Sequence, residues 1–223
     1  MLYEDELFEI YYNECDNKYI SDLVNTVKNR MPNILDFFKI KRDKKIVIKL
    51  YNNVDEYKDN LEKSFKRQAI EESKKEGKEI KPREYQSWMI ADTEDGNINM
   101  LSLDLVLQNP DFKNYTVKEF CFNACHEFTH LCQQQISSNS PGWFWEVLAT
   151  TLGNPECQHS CNDIFTLKDL EENFDNIDGY GIAYKIGRYL FENYDNDFIL
   201  SLVTDNKELY KFVESLFSEN KIK

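Results

Sequence analysis

The stretch that most constrains this chain is His126-Glu127-Phe128-Thr129-His130, set within the apolar run from Tyr115 to Gln135. A helix turns once in about 3.6 residues, so side chains four apart share a face. Two imidazoles placed in this way can close on one metal ion. The carboxylate that follows the first histidine is then placed to take a proton from water activated by that ion, an arrangement suited to zinc hydrolysis. The plain alternative is a core helix with two satisfied histidines, and the flanking residues have to decide between them.

The decisive flanking stretch follows the loop signal Ser137-Ser138-Asn139-Ser140-Pro141-Gly142. Residues Trp143-Phe144-Trp145-Glu146-Val147-Leu148-Ala149 form a strongly apolar helix with a single charge. A lone carboxylate in such a run is costly to bury unless it is paired or bound to metal. Glu146 is therefore the expected third ligand, giving a zinc site of His126, His130 and Glu146, one ion per chain, with Glu127 as general base.

Composition narrows the remaining classes. With 27 basic against 40 acidic residues, the net charge of -13 repels phosphate backbones and anionic lipid surfaces, so neither nucleic acid nor a membrane is an expected partner. No apolar run approaches the length of a membrane span, and the start Met1-Leu2-Tyr3-Glu4-Asp5-Glu6 lacks the basic and apolar segments of a signal peptide. A cytoplasmic protein is the expectation. The six cysteines, Cys15, Cys121, Cys125, Cys132, Cys157 and Cys161, then read as reduced thiols. Three of them, Cys121, Cys125 and Cys132, form a stripe off the two-histidine face, as the back of a buried helix would. Cys157-Gln158-His159-Ser160-Cys161 reads as a loop, with metal binding or a redox pair as alternatives.

Hydropathy patterning places strands before the two-histidine helix and helices after it. Leu7 to Tyr12 and Lys45 to Tyr51 read as strands. Between them, Asp16 to Phe38 carries apolar residues at intervals of three and four and reads as an amphipathic helix interrupted at Pro32. A further helix from Val54 grades into the charged stretch Glu62 to Glu84, a solvated helix end and mobile loop, or alternatively a lid. Tyr85 to Ala91 and Asn97 to Asp104 read as a hairpin whose second strand, as a sheet edge, would accept an extended peptide. Beyond residue 150, helices are expected from Thr166, from Gly179 to Tyr194, near Phe198 to Val203 and near Leu209 to Phe217. The expected fold is α+β: one domain over residues 1–223, with a small mixed sheet in 1–114 and a helical half in 115–223.

These stretches together resemble the gluzincin superfamily of zinc metallopeptidases. The resemblance rests on His126 to His130 and on Pro141-Gly142-Trp143-Phe144-Trp145-Glu146-Val147-Leu148-Ala149. Two further segments, Leu167 to Phe174 and Tyr180 to Leu190, are similar to stretches that follow the third ligand in that family. It implies a zincin-like catalytic domain in which His126, His130 and Glu146 bind zinc. Glu127 would act as base and acid, and Tyr180 would donate to the oxyanion, with Tyr184 as the fallback. The implied activity is endopeptidase cleavage of a peptide or protein substrate. Val147 departs from the family's usual glycine after the third ligand, and no exopeptidase signature accompanies the motif. A catalytically silent binding protein, or a zinc hydrolase of a non-peptide amide or ester, stays open as an alternative.

Overall fold

A computed structural model describes residues 1–137, 139–154, 166–174 and 178–219. It is α+β, with a small mixed sheet in the N-terminal half and a mostly helical remainder. The expectations for Cys157, His159 and Cys161 lie outside the described residues. Cys15, Cys121, Cys125 and Cys132 form no disulfide.

Five strands make one sheet: β1 (Leu2–Glu4), β2 (Phe8–Tyr11), β3 (Ile46–Tyr51), β4 (Ala91–Glu94) and β5 (Asn97–Leu101), in the spatial order β1-β2-β3-β5-β4. Parallel pairing joins β2 to β3 and β3 to β5, so Ile10, Ile48 and Ile98 fall side by side; β1 and β4 pair antiparallel at the two edges. Parallel neighbours require crossovers, which α1 (Asn17–Phe38) and α2 (Val54–Glu76) supply. Alternate residues Ile46, Ile48 and Leu50 of β3 are buried, as a strand with one covered face dictates.

Several sequence expectations shift here. A hairpin forms, but its first strand is β4 at Ala91–Glu94 rather than Tyr85 to Ala91, because the turn is only Asp95-Gly96, both at positive φ, the conformation a two-residue hairpin turn demands. Its second strand is interior, however, because β3 claims its other edge. Strand addition at Asn97 to Leu103 is thus ruled out, and the free edge on that side of the sheet is β4. Helix α1 is not interrupted at Pro32. Proline deletes one backbone hydrogen bond, at a cost of about 3 kcal/mol, but Val27, Met31, Ile34 and Phe38 continue the buried stripe through it. Each buried side chain of that size contributes about 1.5–3 kcal/mol, enough to carry the helix past the defect.

Helix α2 persists to Glu76, where Gly77 adopts the left-handed conformation and donates its N–H to the Ser73 carbonyl. Beyond it, the Arg83 guanidinium lies 4.4 Å from the centre of the Phe65 ring and donates to Gln68 at 3.1 Å. Beneath α2, Tyr57, Leu61, Phe65, Ile90, Leu101 and Val106 form a core cluster. A buried carboxylate, Asp16, accepts from the Ser102 and Tyr19 hydroxyls and from the Asn13 N–H, fixing the start of α1 to the end of β5.

The remaining helices are α3 (Leu103–Val106), α4 (Val117–Ile136), α5 (Gly142–Gly153), α6 (Leu167–Glu172), α7 (Gly179–Asn193), α8 (Asn196–Thr204) and α9 (Asn206–Ser218). Helix α6 begins with the expected reciprocal cap, Thr166 accepting from the Asp169 N–H and Asp169 from the Thr166 N–H. Two compact units result, one of residues 1–26 and 42–124, the other of residues 27–41 and 125–223. The helical unit thus takes in Val27–Lys41, a segment that lies among the strands in sequence. Among the described residues, no helix is long and apolar enough to cross a membrane.

Candidate metal centre

The site lies in the helical unit and is built from α4 and α5. Helix α4 places His126 and His130 on one face, with their Nε2 atoms 3.1 Å apart. Helix α5 brings Glu146 against them, Oε2 at 3.1 Å from His126 Nε2 and Oε1 at 3.5 Å from His130 Nε2. The two helices run antiparallel, because Gln133 meets Trp145 while His126 meets Gly153. Such an approach needs a residue without a side chain: a Cβ on Gly153 would sit 2.6 Å from the His126 Cα. Gly187 serves α7 in the same way, where an added Cβ would lie 2.9 Å from the Val147 carbonyl oxygen of α5.

His126, His130 and Glu146 are the group among the described residues whose donor atoms could hold a metal ion. The donors fit one chemically. Zinc bonds of about 2.0–2.1 Å at tetrahedral angles imply donor separations of about 3.3 Å, close to the 3.1 Å between the imidazoles and the 3.1 and 3.5 Å from them to the two Glu146 oxygens. The Glu146 Oε2 atom gives a second indication. It is buried and accepts no well-directed hydrogen bond, although His126 Nε2 lies at hydrogen-bonding distance. Distance without direction is what lone pairs converging on a common point produce, and a buried acceptor left in this state calls for a further partner.

The charges lead to the same conclusion. Burial favours the neutral form of His130, but the Glu146 carboxylate outweighs it and pushes the imidazole up to about 9. Burial likewise favours neutral Glu146, yet the His130 charge and both adjacent imidazoles hold the carboxyl far below its usual range. Without an ion, the cluster thus retains a proton to offset the buried carboxylate. Glu127 is 8% exposed. Burial pushes its pKa up, opposed by His130 and His126 and reinforced by Glu146.

Tyr180, in the first turn of α7, lies with its ring centre 6.5 Å from that of His126 and 5.2 Å from that of Phe174. It remains 38% exposed. Tyr184 is buried, and its hydroxyl bonds the Arg188 side chain. The structure thus brings together His126, Glu127, His130, Glu146 and Tyr180.

Two contributors escape a reading of the sequence. Gln133, itself buried, receives His130 Nδ1 at 3.0 Å and donates Nε2 to the Trp145 carbonyl at 3.1 Å. The Trp145 ring stacks against that of His130 with centres 6.0 Å apart. The spacing His126, His130, Gln133 continues one helical stripe, which was the available signal for Gln133. Nothing in a sequence identifies the carbonyl it meets. No family model matches this chain, and no curated protein or solved structure does either.

Proposed function

We propose that this chain is a zinc-dependent metallopeptidase of gluzincin type, an endopeptidase acting on a peptide or protein substrate. The observation that carries the reading is the closure of His126, His130 and Glu146 to within 3.5 Å between neighbouring side chains, with the buried Glu127 carboxyl beside them. Zinc held there supplies a Lewis acid that acidifies water and polarises a carbonyl. Glu127 accepts the proton of the attacking water and returns it to the departing amine. Burial raises its pKa, a direction that favours a carboxyl able to return its proton as well as accept one. Tyr180, half-exposed beside His126, donates its phenol to the developing oxyanion, a contribution typically of about 3–4 kcal/mol.

The test combines elemental analysis with cleavage of a broad peptide library. Wild type is expected to carry one zinc that is absent from His130→Ala and from Glu146→Ala. Glu127→Gln should keep the zinc and lose turnover by roughly 10²–10⁴-fold. Zinc that survives His130→Ala sinks the site. Zinc with no peptide cleavage by wild type leaves a binding protein, and cleavage confined to ester or non-peptide amide substrates moves the reaction class.

A further inference from the structure

We infer that Gln133 is a positioning residue for the metal site, fixing the His130 tautomer and the backbone of the third ligand with one side-chain amide. The inference rests on the metal reading above. Its logic starts from the Trp145 carbonyl, which can only accept a hydrogen bond. The Gln133 atom 3.1 Å from it must therefore be the amide nitrogen, which turns Oε1 toward His130 Nδ1 at 3.0 Å. An amide oxygen can only accept, so Nδ1 carries the proton. In the neutral ring, Nε2 is then left with its lone pair facing Glu146 and His126. The opposite tautomer would aim an N–H into the donor triangle and block it.

The other half of the amide acts on α5. Trp145 C=O belongs to the peptide bond whose nitrogen is that of Glu146, so the bond from Gln133 holds the third ligand's backbone at a set distance from the second ligand's ring. Gln133 is 1% exposed, which shields both bonds from competing water. A charged carboxylate in this place would also orient His130, but it could not donate to Trp145. The amide serves both contacts without adding a buried charge to a cluster that already holds Glu127 and Glu146.

The experiment measures zinc affinity by chelator competition on wild type, Gln133→Met and Gln133→Glu, with thermal unfolding of each metal-free protein as control. Methionine keeps the volume and removes both bonds; glutamate keeps an acceptor for His130 and loses the donor to Trp145. Positioning of the ring predicts that Gln133→Met weakens zinc by about 10–100-fold, the usual effect of removing such a partner. Gln133→Glu should fall between wild type and Gln133→Met, keeping the bond to His130 and losing the one to Trp145. Heteronuclear NMR of the His130 ring in the zinc-loaded proteins adds a direct readout: the proton should reside on Nδ1 in wild type and Gln133→Glu, with slowed exchange that Gln133→Met loses.

A residue that merely braces two helices predicts something else. Both variants would then lose affinity equally, in proportion to their loss of stability, and that outcome overturns the inference. Equal zinc affinity in wild type and Gln133→Met overturns it as well while leaving the metal site standing. A wild-type protein that binds no zinc removes the metal reading itself.

Discussion

At the scale of the residue, the metal-free site carries a pH dependence whose sign follows from two shifts. His130 has its pKa raised from 6.5 to about 9 in the folded chain, so its contribution to stability is full below about 6.5 and is lost as pH rises through 9. Glu146 is shifted downward, so its contribution is present above its unfolded value near 4.5 and is lost as pH falls toward its folded value. Metal-free protein should therefore be most stable between about 4.5 and 6.5, as far as this cluster decides. A shift of this size corresponds to the order of 3 kcal/mol for His130, or roughly 6–12 °C in Tm for a chain of this length. Zinc displaces the proton, so the zinc-loaded protein should not show this loss. Melting of chelator-treated and zinc-loaded samples at pH 6 and pH 9, with His130→Ala beside them, checks this. A metal-free Tm that does not fall between those two pH values would show that the proton is not held as described.

At the scale of the element, the approach of α4 and α5 is limited by Gly153, and two alanine substitutions in the same helix should separate cleanly. The added Cβ of Gly153→Ala meets the backbone of His126, which has no side-chain freedom with which to yield. The helices must part, at a cost of about 1–3 kcal/mol, and His126 moves from its partners. Gly142→Ala places a methyl group in open space at the start of α5, where alanine favours the helix by up to about 1 kcal/mol. Chemical denaturation and zinc competition should show Gly153→Ala weakened in both and Gly142→Ala unharmed; equal behaviour would mean the contact does not limit the site. The same elements show what the sequence could and could not disclose. Helices α4 and α5 were legible because their apolar runs are long and because Glu127 and Glu146 fall inside those runs rather than at a helix start. Strand β1 was not, since three residues that include Glu4 offer no alternation to detect. The interior position of β5 was not either, because pairing order depends on which crossovers close, and no local pattern records that. Pro32 misled in the other direction: its local cost is real, and only the buried stripe on both sides of it outweighs that cost.

At the scale of the whole molecule, every donor of the proposed metal centre falls in the unit of residues 27–41 and 125–223, whereas the entire sheet falls in the other. A ligand stabilises whichever states retain its site, by RT ln(1 + [L]/Kd), or about 4 kcal/mol at a thousandfold excess over Kd. Openings that separate α4 from α5 lose the bound ion and become rarer by that amount. Openings confined to the sheet leave His126, His130 and Glu146 together and gain nothing. Native-state hydrogen exchange with and without zinc should therefore show slowed exchange in residues 125–136, in α5 and in α7, the helix that packs along α5. Peptides covering β2, β3 and β5 should exchange at rates that zinc leaves unchanged wherever they open locally. Slowing spread evenly over sheet and helices would mean that the chain opens only as a whole. Slowing confined to the sheet would place the ion away from these three residues.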